Sequence, residues 1–567
     1  MKKKVLSVLL AAAMVMSMTA CGGSDASSDG GSTASSTTSS SSSSSTESSS
    51  SSSSTESSGS AAAAVETPGE YVLEDLYIVV DGTLTATVDN GQDAFIEQWE
   101  AAVSQKLGHS IKLHINQLDH SDYSGTVSRL LTTGEPGDGS FPDALIMSAT
   151  MFREYAPTGL LWDQADAYAN AEFQSRVTLP SINENMKDST GALYGFAPTY
   201  GNGCVTYVKK AWLDAVGMSI DDIKTYDDYY NMLKAFTEQD PDGNGSAGTY
   251  GVIAAGYGKL DEAPFINYMP EFWQDAYPAI YQKDGVWVDG FQEEATQKAL
   301  QRLADAYAAG LIDPDTEEAG TKQAREKWFS NDQSTSEGVF TYWAGTWLQT
   351  LTDNLVKQEV DSEIVMLPPI AEIKNSWGGY LNREAPVWVI TDDQNGDNSR
   401  EQAIFDALIE TMLDGDVVQT LWTYGAEDVH WSTHAEEFTT NAGTDKEKTY
   451  SYEEGTFHLK QSPNDPNSVW KKNHLDAVLV IAPLTNGYVD TSELAVAGNK
   501  FFTENCVDAP QAPASETLSE INNDLVDLKK QLMNQVVTGE KTPADAIAEY
   551  QEAFGDQIET VLSELNG

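Results

Sequence analysis

The sequence predicts an α/β protein with two lobes that are connected by extended segments. About 500 residues follow a long serine-rich stretch, and a chain of this size suits two lobes better than one hydrophobic core. Strand-like and helix-like segments alternate over residues 84–149, which is typical of a parallel sheet with intervening helices. Residues 191–210 combine β-prone side chains with Gly195, Pro198 and Gly201, so they predict an extended crossover between two halves of the molecule.

Residues 1–20 have the three parts of an export signal: three lysines, an apolar run over residues 5–16 and a set of small residues. The next residue, Cys21, follows Met-Thr-Ala in a pattern that resembles a bacterial lipobox. This resemblance implies that Cys21 is lipidated and becomes the mature N-terminus, whereas the alternative is an ordinary signal peptide followed by a chance cysteine. Because two or more acyl chains anchor stably, we expect the protein at the extracellular face of the cell membrane.

Residues 24–60, within the segment 21–66, are almost entirely Ser, Thr and Gly with a few acids, so they lack the apolar residues that a core requires. We expect this segment to be a disordered tether. A flexible chain of about forty residues separates its ends by roughly 35 Å, which would keep the folded residues 67–567 near the membrane.

The chain is strongly acidic, with a formal net charge of −54. This charge argues against nucleic acids and anionic lipid surfaces as partners and favours solubility. Besides Cys21, the sequence contains only Cys204 and Cys506. These two could pair or stay free, and a buried thiol is the simpler interpretation of Cys204.

The first folded segments predict a parallel, doubly wound lobe. Strands are expected at residues 84–88, 111–115 and 142–147. A helix over residues 93–107 lies between the first two strands. Ligands of such sheets bind beyond the carboxyl ends of the strands, so Asn90 and Ser148 are candidate ligand contacts, although each suits a helix cap equally well.

Residues 191–210 contain Tyr-Gly, a Pro, a patch of small residues, an apolar strand with a Tyr, then Lys and a short helix. This order resembles the hinge of the extracellular solute-binding proteins, family 1 type, of bacterial ABC importers. The alternative is a buried strand of another α/β enzyme. Further motifs resemble the family in the same order: GLLWDQ from Gly159, GLIDPDT from Gly310, YGAEDVHW from Tyr424 and TGEKTPADA from Thr538. In the third motif, Asp428 stands where the family usually has a second Gly.

The resemblance implies a periplasmic-binding-protein-like fold of type II with hinge-connected lobes. The first lobe would comprise residues 71–198 and 376–430, and the second residues 204–370 and 440–567. Crossings are expected near residues 200–206 and 368–379. The implied function is that of a monomeric receptor, without enzymatic activity, which captures a solute between its lobes and delivers it to an ABC permease.

We expect an oligosaccharide ligand, because the C–H faces of sugars suit Trp and Tyr rings and their hydroxyls suit Asn, Asp, Glu and Gln. A peptide or an amino acid is the alternative ligand. A secreted glycan hydrolase is the alternative from another functional class, because a pair of catalytic carboxylates cannot be excluded by counting in so acidic a chain. The sequence contains no HExxH zinc motif, GxSxG elbow or GxxxxGK phosphate loop.

The candidate ligand contacts come from both lobes. They are Asn90, Ser148, Tyr200, Asn202, Trp343, Trp347, Tyr380, Arg383, Trp422, Glu427 and Trp431. Trp343 and Trp347 are four residues apart and would share one helix face, with core packing as the alternative for Trp343. Arg383 could clamp a carboxylate of an acidic sugar, whereas a surface ion pair is the commoner arrangement.

Residues 240–251 look like a calcium loop. Its candidate oxygen ligands are Asp240, Asp242, Asn244 and Ser246. Gly251 stands where a calcium loop would have a bidentate Glu, so a structural calcium and a plain Asp/Gly turn are both open. No other cofactor is expected, because His430 and His434 lack the residues of a catalytic zinc motif.

Overall fold

A computed structural model describes residues 71–567 apart from several short stretches. Those stretches are residues 83, 120–121, 135–140, 149–150, 153–154, 185, 189, 200, 244, 246–247, 258–268, 274, 331–334, 371, 373–379, 383–384, 445, 473–480, 489–491 and 509–514. The predicted signal, the lipidation site Cys21 and the tether lie outside the described residues, as do Tyr200, Arg383, Asn244 and Ser246.

The strands of the described residues are short and occur throughout the chain. They are β1 (Asp75–Asp81), β2 (Lys112–Leu118), β3 (Ala144–Met147), β4 (Cys204–Lys209), β5 (Thr249–Ile253), β6 (Ile280–Lys283), β7 (Val286–Asp289), β8 (Ser336–Trp343), β9 (Ile364–Met366), β10 (Tyr380–Asn382), β11 (Val387–Ile390), β12 (Trp431–Ser432), β13 (Glu436–Thr440), β14 (Lys448–Tyr452), β15 (His458–Leu459) and β16 (Cys506–Asp508).

Helices separate most of these strands. They are α1 (Gln92–Leu107), α2 (Tyr123–Thr133), α3 (Ala165–Asn170), α4 (Ser181–Glu184), α5 (Lys210–Val216), α6 (Tyr226–Glu238), α7 (Pro270–Trp273), α8 (Glu294–Ala308), α9 (Thr321–Trp328), α10 (Thr346–Lys357), α11 (Ser399–Phe405), α12 (Val417–Tyr424), α13 (Glu493–Asn505), α14 (Glu516–Val537) and α15 (Pro543–Asn566). The predicted cap of α15 is present, since the Thr542 side chain accepts a hydrogen bond from the Asp545 N–H at 3.2 Å.

The first sheet has the strand order β11-β3-β1-β2. β1 pairs in parallel with β2 and β3, whereas β11 runs antiparallel to β3. Neighbouring residues of β1 face opposite layers, because side chains alternate along a strand. Ile78 belongs to the core that contains Trp99 of α1, and Val79 belongs to the core that contains Val127 of α2. Helices therefore cover both faces of this sheet.

The second sheet has the order β5-β8-β4-β9. β4 is antiparallel to both β8 and β9, and β5 is parallel to β8. All six residues of β4 are buried, as expected for a central strand that is rich in β-branched and aromatic side chains. The C-terminal helices complete this second core, to which Leu532 and Tyr550 belong. Neither Cys204 nor Cys506 forms a disulfide bond.

Within the described residues, the chain passes between the two cores three times. The residues on either side of these crossings are Ala197 and Cys204, Leu381 and Ala385, and Ala482 and Phe502. The first two crossings approach each other at Gly203, where an added Cβ would overlap the Leu381 carbonyl oxygen and lie 2.9 Å from the ring of Phe502, in the helix that follows the third crossing. The residues next to the three crossings on the side of the second core therefore contact one another.

Two predicted boundaries change in the first half of the chain. The first strand is Asp75–Asp81, whereas residues 84–88 form a loop whose Leu84 and Ala86 are buried. Burial accounts for the apolar Leu84 and Ala86, whereas Val88 is exposed. In addition, Tyr380 and Leu381 still pack in the second core, so the chain returns to the first lobe after β10, later than expected.

The predicted division of the last 130 or so residues also changes. Trp470, Ile481 and Ala482 pack in the first core, although residues 440–567 were assigned to the second lobe. The first lobe therefore extends to about residue 484, and the third crossing follows it. The polar composition of residues 441–473 conceals this, because few of their side chains enter the core.

We expect Gly203→Ala to destabilise the protein by about 1–3 kcal/mol, because the added methyl group overpacks the place where the crossings meet. Gly555→Ala in α15 is a matched control, since a Cβ there has no neighbour within 4 Å. The control should be neutral or stabilising by up to about 1 kcal/mol. Midpoints of urea unfolding measure both effects, and equal midpoints for the two variants would contradict the convergence of the crossings.

Candidate functional site

The carboxyl ends of β1 and β3 form the edge of the first sheet at which ligands of this architecture bind. Ser148 follows β3, and its Oγ accepts a hydrogen bond from the Met151 N–H at 3.3 Å, so it caps a helical turn. Asn90 lies at the end of the loop between β1 and α1. Its Oδ1 is buried and has no hydrogen-bond partner among the described residues. Both candidates are therefore at this edge, and Ser148 has a structural role there.

The side chain of His430 links this edge to the loop that follows α12. Its Nδ1 accepts a hydrogen bond from the Ala426 N–H at 2.7 Å, and its Nε2 lies 2.6 Å from the Asn90 carbonyl oxygen. Since a carbonyl can only accept, Nε2 carries the proton and the ring is neutral. Burial lowers the pKa of His430, which favours the same neutral form. Both ring nitrogens are thus occupied, so His430 has none left for a metal.

Glycine is required on both sides of this imidazole. Gly91 and Gly425 have φ values of 81° and 91°. A Cβ on Gly91 would lie 2.9 Å from the His430 Nε2, and a Cβ on Gly425 would overlap the ring. The left-handed backbone and the close approach both exclude larger residues.

A second contact holds the same loop against α1. The Gln98 side chain donates to the Glu427 carbonyl at 3.0 Å and accepts from the Glu427 N–H at 2.8 Å. The backbone of Glu427 is therefore fixed, while its carboxylate is exposed. Glu427 and Trp431 consequently lie on one short loop, which His430 holds against Asn90.

Four aromatic rings lie beside this loop, and we call them the crossing cluster: Tyr424, Trp431, Phe457 and Tyr488. The Phe457 ring centroid lies 4.7 Å from that of Tyr424, 5.3 Å from that of Trp431 and 4.9 Å from that of Tyr488. The Trp431 Nε1–H donates to the Gly425 carbonyl at 2.9 Å, which fixes the indole. Sequence reasoning missed Phe457 and Tyr488, although Phe457 and the nearby aromatics interrupt the otherwise polar residues 441–473.

Trp422 lies inside the first core. Its side chain has no exposed surface, and its ring packs edge-on against Phe95 at 5.2 Å and Trp388 at 6.1 Å. The stretch around residue 422 forms a helix that packs on α1, so this tryptophan faces inward while Trp431 follows in the loop. A ligand cannot reach Trp422 in this arrangement.

Trp343 and Trp347 do not share a helix face, because Trp343 ends strand β8 and Trp347 lies in α10. Trp343 is 3% exposed and belongs to the second core. Trp347 is half-buried and meets the Tyr342 ring edge-on at 4.7 Å. The Arg325 guanidinium lies 4.9 Å from the Trp347 ring centroid and donates to the Tyr342 hydroxyl at 2.6 Å. Trp347 is therefore the better placed of the two for a ligand.

Two further candidates take part in the crossings. The Tyr380 hydroxyl is buried, donates to the Leu367 carbonyl at 2.6 Å and accepts from the Thr206 N–H at 3.4 Å. Burial raises the pKa of Tyr380, so the hydroxyl keeps its proton. Asn202 is half-buried, and its Oδ1 accepts from the Gly203 N–H at 2.8 Å. These contacts give Tyr380 and Asn202 structural roles at the junction of the lobes.

The described part of the candidate calcium loop has its own hydrogen bonds. The Asp240 carboxylate accepts from the Gly245 N–H at 3.0 Å, and Asp242 accepts from the Ser336 hydroxyl. Asp240, Gly243 and Gly245 all have positive φ values, which suits a tight Asp/Gly turn. The two carboxylates suit the oxygen chemistry of calcium, but these contacts also hold the turn by itself.

No family model matches the chain. The lipoprotein LipO of Bacillus subtilis (strain 168) is 25% identical over 221 residues, which cover 38% of this chain and 41% of that protein. The polygalacturonan/rhamnogalacturonan-binding protein YtcQ of the same organism is 24% identical over 298 residues, which cover 48% and 52%. The chain thus spans about half the length of the curated relatives that it matches.

Solved structures match over most of the chain. An HMO-binding solute-binding protein associated with an ABC transporter of Bifidobacterium longum infantis ATCC 15697 has a TM-score of 0.56 at 14% identity, covering 87% of this chain and 98% of that one. An extracellular solute-binding protein of Bifidobacterium longum subsp. infantis has a TM-score of 0.57 at 13% identity, covering 86% and 95%. These structural similarities confirm the predicted α/β fold.

The neutral state of His430 predicts a pH dependence of stability. The pKa of His430 is lower in the folded chain than in the unfolded chain. Its contribution to the stability of the fold is therefore present above about pH 6.5 and is lost as the pH falls below that value. Between about pH 7.5 and about pH 5.5, the free energy of unfolding should therefore fall less in His430→Gln than in the wild type.

His434 is a control with the opposite sign. It is exposed and pairs with Glu454 at 3.0 Å, and this contact raises the pKa of His434. The contribution of His434 to stability is therefore present at low pH and is lost as the pH rises. His434→Gln should make the free energy of unfolding fall more steeply on acidification than in the wild type. Urea unfolding at several pH values measures both slopes. A His430→Gln slope equal to that of the wild type would contradict the neutral imidazole.

Proposed function

We propose that the chain is the extracellular receptor of an ABC importer and that it captures an oligosaccharide between its lobes. The observation that carries the proposal is the crossing cluster, which the loop of His430 connects to the carboxyl edge of the first sheet. Short connecting segments permit closure of two lobes around a ligand. The names of YtcQ, a polygalacturonan/rhamnogalacturonan-binding protein, and of the HMO-binding structural neighbour support a sugar as the ligand class.

Binding in this proposal needs no covalent chemistry. Half-buried rings such as Trp347 contact the C–H faces of the sugar, and polar groups such as the Glu427 carboxylate bond to its hydroxyls. Closure then removes the ligand from water and creates a surface that the permease recognises. ATP is hydrolysed by another subunit, and the ligand is released unchanged. Within the described residues, no helix has the length and apolarity needed to cross a bilayer.

We also propose that the lipidated Cys21 and the serine-rich tether hold the receptor at the outer face of the cell membrane. A calcium ion bound through Asp240, Asp242, Asn244 and Ser246 would have a purely structural role. It would brace the turn before β5 without touching the ligand.

The ligand class can be tested by thermal unfolding of the purified full-length protein with maltotetraose, tetragalacturonate and tetra-alanine. A ligand at a hundred times its dissociation constant stabilises the folded state by about 2.7 kcal/mol, so a true ligand should raise the midpoint by a few degrees. We expect a rise with one of the two sugars and none with the peptide.

Mass spectrometry of each ligand after incubation distinguishes the alternatives. An intact sugar supports the receptor, whereas shortened products would replace it by a glycan hydrolase. Stabilisation by the peptide alone would discard the sugar and retain the importer role.

The anchor is tested separately by Cys21→Ser. This variant cannot be lipidated, so most of the protein should move from the membrane fraction to the culture medium. Immunoblots of both fractions measure the change, with Cys506→Ser as a control that should stay on the membrane. Retention of Cys21→Ser on the membrane would rule out Cys21 as the anchor.

A further inference from the structure

The side chain of His458 is buried and meets an oxygen at each of its ring nitrogens. His458 begins strand β15, and its side chain is only 1% exposed. The Nδ1 atom lies 2.9 Å from the Thr456 carbonyl oxygen, and the Nε2 atom lies 3.1 Å from a carboxylate oxygen of Glu436 in β13. Carbonyl and carboxylate oxygens accept hydrogen bonds, so both nitrogens must donate. These contacts therefore fit an imidazole ring that carries two protons and a positive charge.

The carboxylate of Glu436 supplies the opposite charge. It also accepts hydrogen bonds from the Lys460 Nζ, at 2.9 and 3.0 Å. Although burial opposes the shift, the hydrogen bonds from Lys460 and His458 lower the pKa of Glu436, which keeps the carboxylate ionised. A buried cation is tolerated in a protein when it is hydrogen-bonded to an anion of this kind.

One face of the His458 ring lies on the aromatic side chains of the ribbon, the two-stranded sheet that β13 and β14 form. The Tyr452 ring stacks on the imidazole at 4.0 Å, with 7° between the planes. Phe438 and Tyr450 also stack on each other, at 5.0 Å, and the Lys448 Nζ lies 4.5 Å from the Tyr450 ring centroid. Because cations are attracted to aromatic faces, this stack favours a charged ring at His458, as it accommodates the ammonium group of Lys448.

Two other histidines show why the surroundings of His458 are unusual. His430 faces one donor and one acceptor, so its ring is neutral. His114 has partners like those of His458, since it stacks on Tyr77 at 4.3 Å and its Nε2 lies 2.7 Å from the Asp75 carboxylate. However, the His114 side chain is 45% exposed, so water can replace a lost hydrogen bond. Burial denies His458 this replacement.

Loss of one proton from His458 breaks a contact whichever nitrogen loses it. A bare Nδ1 would face the Thr456 carbonyl oxygen, and a bare Nε2 would face the Glu436 carboxylate. Among the described residues, the titratable groups that face the ring are Glu436 of β13 and Tyr452 of β14, with Lys460 bound to Glu436. None of them can donate to the bare nitrogen without giving up its own place. A buried acceptor without a donor is costly, so the ribbon loses part of its attachment.

We propose that His458 is a pH-sensitive switch: the doubly protonated ring fixes the ribbon to the first lobe, and the loss of one proton loosens it. Histidine ordinarily loses this proton at about pH 6.5, so the attachment is present at lower pH and weakens as the pH rises. The direction is opposite to that of His430, whose contribution is lost on acidification. The inference does not depend on which ligand the protein binds.

The test is amide hydrogen exchange of the full-length protein at about pH 6 and about pH 8, corrected for the intrinsic effect of pH on exchange. Between these values, protection of the amides in β13 and β14 should fall about tenfold in the wild type. His458→Gln does not titrate, so its ribbon should have the same protection at both pH values. His114→Gln is the matched control and should leave the wild-type fall unchanged.

Glu436→Gln is a second variant that keeps the buried imidazole but removes its counter-charge, so the fall should shrink. Amides outside the ribbon show whether each variant is folded.

His434 provides the outcome that would overturn the inference. It is exposed and pairs with Glu454 near the start of the ribbon, so His434→Gln should keep most of the fall. If the fall persists in His458→Gln but disappears in His434→Gln, the exposed pair controls the ribbon and the inference fails. Equal protection of the wild-type ribbon at both pH values would also overturn it. In either case the proposed receptor function is unaffected.

Discussion

The neutral imidazole of His430 is the contact on which the candidate site depends. It accepts from one loop and donates to another, so it connects the carboxyl edge of the first sheet with the segment that carries Glu427 and Trp431. Protonation would place an Nδ1–H donor opposite the Ala426 N–H donor, and burial of the ring makes that charged state costly. Gly91 and Gly425 flank this ring, and a Cβ at either position would collide with it. Much of the site geometry therefore follows from a side chain that need not touch a ligand.

The fold class could be predicted from the sequence because strands and helices are encoded by short, local residue patterns. The β-branched strand at Cys204–Lys209 and the capped helix after Thr542 form as their residue patterns indicate. The β-prone residues 84–88 were misinterpreted, because apolar residues such as Leu84 can also be buried in a loop. The third crossing was missed because its evidence is tertiary: Trp470 reaches the first core from a polar stretch. Pattern alone cannot reveal which core a single tryptophan enters.

The candidate site was predictable in location but only partly in composition. A motif identifies the loop from Gly425 to Trp431, yet Trp422 and Trp431 differ completely in what surrounds them. Large aromatic residues are common both in cores and in ligand sites, and only burial separates the two uses. Phe457 and Tyr488 follow neither the motif nor a clear period. Their position depends on tertiary structure, because the pairing of β12 with β15 places Phe457 next to the Trp431 ring.

The three crossings also affect how the chain reaches its folded state. Strand β3 pairs with β11, whose residue Val387 lies opposite Met147, so the first sheet is incomplete until long after its first three strands exist. The second core is completed only by residues near the C-terminus, such as Tyr550. Contacts between such distant segments form slowly, and an unpaired β3 edge would be exposed to aggregation meanwhile. Each lobe is built from separate parts of the chain, so neither can be expressed as one contiguous fragment. Most of the chain must be synthesised before either lobe can complete its fold.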